Sequence, residues 1–535
     1  MPQLERPATN ISVSFPAELL LLAWVLLSIL STGMAVVHRF LRMRGLDLIG
    51  YGAGAGILAH GPFGLWIALV DRYHRQITGL LCCVAIASLA YLWKRKVIVD
   101  LAKDLTRPIK IFLGIWIAFI VFCIAITHLE IKWPLELPDG QYVFKTHTLN
   151  VKIQVLTSLP ADNSIAYVVQ EYFLRRIPFR EEHPVIPNTE VTMRTVLMSL
   201  SGLPFRAVID PPARYKEPLP KTLYGGPNVG LLYSDSGFRQ FLTMSVAFNS
   251  LLLLGIGLFC VNLGIIRVLP IAAILFATNP YFISQTIFSW PKSLAGFFVL
   301  LAWDAFRRGR GSKIIGACST LAYHCHPFAV SFLAGMGACC CLVRDPKNRW
   351  RMASGFLITA GLLLLPWIIW TRGILQIPSV MFSSNFNPSG VHAIFPNPIW
   401  VRLLNVFITF IPTFALVYPF KAQAVVIGFT SSLPGAAGLI FFVPGLIRLL
   451  RSIDRTLLYA GIGMPAALII LVFGSPNQPI LHGLQPIAAA LLFMGVAHGR
   501  DHFKPAIYWT LIALQLILNL ILVVSAGSFV GAHFG

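Results

Sequence analysis

Acidic residues are scarce in this chain and almost missing from its second half. The 535 residues include 21 Asp and Glu against 42 Lys and Arg, and beyond residue 240 there is no Glu and only Asp304, Asp345, Asp454 and Asp501. Charge of either sign is rare at 12%, hydrophobic residues reach 56%, and mean hydropathy is +0.74, so a water-soluble fold would have nowhere to hide its apolar surface. Other absences narrow the reading. No Walker-type glycine loop is present to cradle a nucleotide. No internal repeat and no separable soluble domain are visible, so residues 1–535 read as a single integral membrane domain. Met1 to Pro16 lacks a basic leader region, so the apolar run Leu19 to Val37 is expected to be a permanent helix. Of nine cysteines, Cys82, Cys83, Cys123, Cys260, Cys318, Cys339, Cys340 and Cys341 lie in apolar stretches, where a thiol behaves as a small hydrophobe; neither a disulfide framework nor a metal site follows. The formal charge of +21 sits in short clusters between apolar segments, as membrane insertion requires, and excludes nucleic acid as the partner.

What is abundant is apolar sequence in membrane-spanning lengths. Leu19 to Val37, Ile111 to Thr127, Phe241 to Leu263, Gly355 to Trp370 and Trp509 to Ala526 each approach the ~20 residues that cross a ~30 Å hydrocarbon layer. The expected fold is all-α, a polytopic transmembrane bundle of about eleven to thirteen helices. Basic clusters mark the cytoplasmic side: Arg39/Arg42/Arg44, Lys94/Arg95/Lys96 with Lys103 and Arg107, Arg307/Arg308/Arg310/Lys313, Arg344/Lys347/Arg349/Arg351 and Arg448/Arg451/Arg455. Two apolar segments, Asp47 to Val70 and Ile77 to Trp93, separate the first two clusters, which places the N-terminus outside. A fourth helix then emerges outward, making 130–190 an extracytoplasmic loop region and 371–399 a second one. Between Arg310 and Arg344 a hairpin is required, with its turn near Tyr323 to Pro327. The stretch Ala422 to Leu446, interrupted by Ser431 to Gly435, poses the same requirement.

Eleven of the 21 acids fall between Glu130 and Asp235, so a carboxylate base working at the outer face must come from there. Asp139 sits on the Pro/Gly turn Leu137-Pro138-Asp139-Gly140-Gln141-Tyr142, either as a solvated turn acid or as a base beside the membrane surface, with Tyr142 as a substrate-binding candidate. Asp162 reads as the N-cap of a helix Ser164 to Leu174, or as a second acid. That helix carries Ile165, Val168, Val169, Tyr172 and Phe173 on one face and resembles an interfacial amphipathic helix. His147, Glu171, His183 and Glu190 are too dispersed to specify a metal site. Arg194 opens an apolar run and is either a snorkelling anchor or a bidentate phosphate ligand. Lys292 follows the polar, Pro-interrupted stretch Asn279-Pro280-Tyr281 to Phe288-Ser289-Trp290-Pro291 and lies near the outer end of its helix, as an interfacial anchor or a functional cation. His324 and His326 occupy the expected hairpin turn, where hydrogen bonding to a phosphate or sugar is the favoured role, and Arg372 begins the second outer loop. Convergence of Arg194, Lys292, His324, His326 and Arg372 would make an electropositive pocket for an anionic lipid headgroup.

These pieces together resemble the type C glycosyltransferase superfamily, integral membrane enzymes that use polyprenyl-phosphate-linked sugars. The resemblance spans about residues 110 to 400 and rests on Asp139 in the first large outer loop, the helix within that loop, Trp290-Pro291-Lys292 leading a later helix, and His324 and His326-Pro327 before a second outer loop. It implies Asp139 as catalytic base or ligand of a divalent cation, Asp162 as second acid, and Lys292, His326 and Arg372 facing the lipid phosphate. It further implies a glycan, lipid or protein acceptor and the bacterial inner membrane as location. The chain departs from the family's usual order in placing the acidic loop after four helices rather than one. The rival expectation is a transporter or lipid flippase, whose site would lie at midmembrane among broken helices.

Overall fold

The structure, a computed structural model, describes residues 14–70, 72–128, 130–134, 150–154, 160–179, 195–209, 235–287, 289–343, 345–376, 403, 440–472 and 483–534. It is a polytopic α-helical bundle, and the apolar windows of the sequence are its helices. In chain order these are α1 (Phe15–Leu41), α2 (Gly45–Leu69), α3 (His74–Lys94), α4 (Val97–Asp104), α5 (Arg107–Thr127), α6 (Pro160–Arg175), α7 (Leu197–Arg206), α8 (Asp235–Asn249), α9 (Leu251–Asn262), α10 (Leu269–Thr278), α11 (Pro280–Ile287), α12 (Lys292–Arg307), α13 (Ser312–Cys325), α14 (Val330–Cys341), α15 (Pro346–Ile368), α16 (440–452), α17 (Met464–Val472), α18 (Gln485–His502) and α19 (Pro505–Phe534). π-helical turns over Ile369–Ile374 and Leu457–Gly463 extend α15 and precede α17. Among the described residues six helices are long and apolar enough to cross a membrane, and up to seven if the bent α11–α12 pair is one span. One antiparallel ribbon, β1 (Glu130–Pro134) with β2 (Asn150–Gln154), runs in register from Glu130 opposite Gln154 to Pro134 opposite Asn150.

Small residues let the helices approach, as expected where lipid supplies no hydrophobic drive between them. A Cβ on Gly33 of α1 would stand 1.8 Å from the carbonyl oxygen of Gly52, and one on Gly56 of α2 would stand 2.1 Å from that of Ile29, so α1 and α2 touch backbone to backbone. Gly445 and Gly495 do the same for α16 and α18, against the carbonyls of Leu491 and Phe441.

Charged groups gather at two levels, and they do so as the alternation of basic clusters requires. At the inner end Asp47 of α2 pairs with Arg308 at 2.6 Å and with Arg310, while Asp304 of α12 accepts from Tyr51 Oη at 2.8 Å and from Asn262 Nδ2 at 2.7 Å. Arg448 and Asp501 pair between α16 and α18. At the opposite end Glu18 of α1 meets His128 at 2.7 Å and Arg239 at 3.9 Å, and the Arg239 guanidinium also donates to Thr127 Oγ1 and O at 3.0 and 3.1 Å. Thus α1 begins, α5 ends and α8 begins at one end, whereas α2 begins and α9 and α12 end at the other. The latter carries the Lys/Arg clusters, and their bias is the reason it is expected to face the cytoplasm.

The helix expected over Ser164 to Leu174 is α6, but it does not lie on a bilayer surface with a wetted polar face. Ile165 to Tyr172 are buried without a break, Gln170 and Glu171 included. Protein covers the polar face: Gln170 donates to the Ser199 carbonyl at 2.8 Å, and Glu171 accepts from Arg206 and Arg175, each at 2.8 Å. Arg176, just past α6, donates to the carbonyls of Ile67 and Ala68 and so caps the last turn of α2. The short amphipathic helix between spans is instead α4, at the inner end.

Candidate functional site

Several helices stop or break at one level inside the bundle. On α12, Lys292 is twelve residues before Asp304, about 18 Å at 1.5 Å per residue. Asn249, inside the continuous 27-residue span Ser236–Asn262 that α8 and α9 form, reaches the same level, thirteen residues or about 20 Å before Asn262. The α13–α14 hairpin turns at His326, and α18 starts at Gln485, each a similar distance above the inner layer. Because α1 with its 27 residues is about 40 Å long, these ends lie near mid-depth and leave the outer half of this part of the bundle to other segments. The expected hairpin turn between Tyr323 and Pro327 is therefore present, and Lys292 does head its helix. Both, however, sit deeper than the outer rim, because α12 and α13 have only sixteen and fourteen residues.

The break between α11 and α12 is a bend of 109°. Pro291 lacks an N–H, and the turn frees backbone groups that hydrocarbon cannot satisfy. Asn249 meets that need: its Nδ2 donates to the Trp290 carbonyl at 3.0 Å and the Thr286 carbonyl at 3.4 Å, and its Oδ1 accepts from the Leu294 N–H at 3.2 Å. Gln485 Nε2 donates to Gln285 Oε1 at 3.1 Å, tying α18 to α11 across the same place.

Two expected site residues converge there. Lys292 and His326 line one cavity with Phe328, Phe332, Gly483 and Gln485, and its volume of about 10 Å³ is that of a single water. Lys292 is 5% exposed, so it is not snorkelling to a headgroup layer; its Nζ lies 3.5 Å from the centre of the Trp290 ring. His326 is 2% exposed, and its Nδ1 accepts from the Phe328 N–H at 3.3 Å, which makes Nε2 the protonated, donating nitrogen. The Trp290 ring bridges the two, 5.9 Å from the His326 ring. The arrangement brings an ammonium, an indole face and an imidazole to one cavity.

The remaining expected residues fall elsewhere or outside view. His324 points away from the cavity and donates from Nε2 to the Leu363 carbonyl of α15 at 2.8 Å, a tie between helices. Arg372 is exposed on the π-helical turn that follows α15, two residues after Trp370, whose ring meets Phe173 of α6 at 6.1 Å and Phe179 beyond α6 at 5.5 Å. Asp139, Tyr142 and Arg194 lie outside the described residues; the segment 135–149 joins the two ribbon strands, and residue 195, next to Arg194, donates from its hydroxyl to the Tyr323 carbonyl at 3.0 Å. Asp162 lies in the first turn of α6, which begins at Pro160 rather than after an N-cap at 162, and its side chain is outside the description, as is the break expected within Ala422 to Leu446. Among the described residues no three His, Cys, Asp or Glu come together as a cation site would need. Sequence reading missed Asn249, Gln285 and Gln485; the available signal was an amide within an apolar run. No family model matches this chain, and neither a curated protein nor a solved structure matches it.

Proposed function

We propose that this protein is a glycosyltransferase of the cytoplasmic membrane of bacteria, moving a sugar from a polyprenyl-phosphate donor to an acceptor on the extracytoplasmic side. What supports the reading is that Lys292 and His326 line one cavity at a helix break, on either side of the Trp290 ring; the cavity has the volume of a single water and must widen to admit a phosphate. In the reaction the acceptor oxygen or nitrogen attacks the anomeric carbon, the bond from that carbon to the phosphate oxygen breaks, and polyprenyl phosphate leaves. Negative charge grows on the leaving phosphate, where an ammonium and an imidazole N–H stabilise it. Asp139 takes the acceptor's proton.

A second reading, lipid flipping or transport, is favoured by one feature, the α11–α12 break at mid-depth. Purified protein in liposomes with a radiolabelled polyprenyl-phosphate sugar separates the two. Transferase action gives labelled acceptor and free polyprenyl phosphate, and D139N removes both. Donor that crosses the bilayer unchanged, equally well with D139N, would establish transport instead.

A further inference from the structure

The turn between α2 and α3 carries charge of the wrong sign for its side. Lys and Arg are biased toward the cytoplasmic end, yet this short outer turn holds Arg72, His74 and Arg75 against Asp71 alone, and both arginines are exposed. Insertion topology does not account for them. Beside them lies an apolar groove of about 240 Å³, lined by Trp66, Val70, Tyr73, Gln76, Ile77 and Leu80. Its floor is firm, because Ile77 belongs to a small core with Ile67, Leu174, Leu203 and Ala207. Its walls are open: Trp66 is 47% exposed, Tyr73 66% and Leu80 46%. Two exposed aromatics, an open apolar slot and two exposed arginines on the turn that flanks its Tyr73 and Gln76 match the three parts of a lipid.

We propose that this groove binds one anionic phospholipid of the outer leaflet, an acyl chain lying against Trp66, Ile77 and Leu80 and the phosphodiester held by Arg72 and Arg75. The site is separate from the Lys292 cavity and does not depend on the transferase reading. A lipid there would fill the seam between α2 and α3 at the end where Arg176 caps α2.

The test uses the delipidated full chain in detergent, titrated with phosphatidylglycerol and phosphatidylcholine of equal chain length, with bound lipids counted by native mass spectrometry. Wild type should hold one phosphatidylglycerol on the order of tenfold more tightly than phosphatidylcholine, given the contribution of each basic side chain near a headgroup. The double variant R72Q/R75Q should bring the two lipids to parity, and L80W, by filling the groove, should weaken both. Thermal unfolding checks that each variant folds; Gln76→Trp, at another exposed lining position, replaces L80W if that protein unfolds. Absence of a preference in wild type, survival of the preference in R72Q/R75Q, or unchanged binding in the groove-filled variant overturns the proposal. So does displacement of the phosphatidylglycerol by an equimolar polyprenyl monophosphate, which would assign the groove to another lipid class.

Discussion

Replacing Asn249 with Leu removes the hydrogen-bonding groups that satisfy the helix break while keeping a branched side chain of four heavy atoms, so no cavity forms and the lost bonds are read with only the steric cost of the bulkier methyls beside them. Three contacts are lost, to the carbonyls of Trp290 and Thr286 and the N–H of Leu294. Hydrogen bonds in membrane proteins average about 0.6 kcal/mol each by double-mutant cycles, which sets a floor near 2 kcal/mol. The ceiling comes from the groups left behind. Leu294 N–H and Trp290 C=O sit at a Pro-containing bend where the helical ladder is interrupted, and an orphaned buried group costs about 1–3 kcal/mol, so two of them could cost up to about 6 kcal/mol. The Thr286 carbonyl, at the longest of the three distances, adds little. The expected destabilisation is thus roughly 2–4 kcal/mol, measured by equilibrium unfolding from detergent into SDS. N249D should be at least as damaging, because it keeps the acceptor for Leu294 but turns an oxygen toward the Trp290 carbonyl. A loss below about 0.5 kcal/mol for N249L, the range of an ordinary surface change, would mean that the break is satisfied some other way and that Asn249 does not hold it.

Lys292→Met should lower transfer activity by roughly 10- to 100-fold, the worth of one charge-assisted bond, while stability is unchanged or improved, because a buried charge is exchanged for an apolar chain of similar shape; activity and SDS unfolding are measured on the same sample, and a folded, fully active variant refutes the phosphate role. Glu171→Gln leaves Arg206, 1% exposed, facing a neutral amide, and should cost about 3–5 kcal/mol, whereas the paired change E171L/R206M should recover most of the loss; failure to recover would show that the pair is not what the single change disturbs. Gly56→Ala drives a methyl into the Ile29 carbonyl and should cost about 1–3 kcal/mol, while Gly79→Ala on α3, with nothing within 4 Å of the added carbon, should be neutral or slightly stabilising; equal effects at the two positions would contradict the α1–α2 contact.

The spans and the hairpin turn at His326 were legible because each rests on a local signal: about twenty apolar residues, or a stretch flanked by basic clusters at both ends. Depth was not legible. Lys292 could be placed at the outer end of its helix from the distance to Arg307, but that α12 stops near mid-depth depends on α13 and α18 ending beside it. The fate of α6 was hidden for a related reason. Its Glu171 and Arg175 look solvated at the level of a helical wheel, and only Arg206, 35 residues later, turns that polar face into an interior one. His324 and His326 show the limit of spacing as a guide: separated by one residue, they face different helices, since the first ends α13 within reach of Leu363 and the second starts the turn beside Trp290.

The placement of Lys292 constrains function more than its identity does. At the centre of a bilayer a lysine costs about 2.5–3.5 kcal/mol by insertion scales, and the Trp290 face offsets roughly 1–2 kcal/mol of that. A residue serving only as an anchor would lower the cost by reaching the headgroups, yet α12 begins too deep for that and the side chain is enclosed. Either function proposed above uses the charge: a transferase to stabilise a departing phosphate, a flippase to hold one in transit. They differ in what must stand opposite. Transfer needs a base on the outer side, and beyond residue 240 the sequence keeps its four acids, Asp304, Asp345, Asp454 and Asp501, beside basic clusters of the inner end. Such a base would come from the acids before residue 240 at the outer end, the stretch between Glu130 and Asp235 above all, then Glu18 and Asp71, so lipid movement without sugar transfer, unaffected by neutralising those carboxylates, would leave Lys292 a carrier's residue and not an enzyme's.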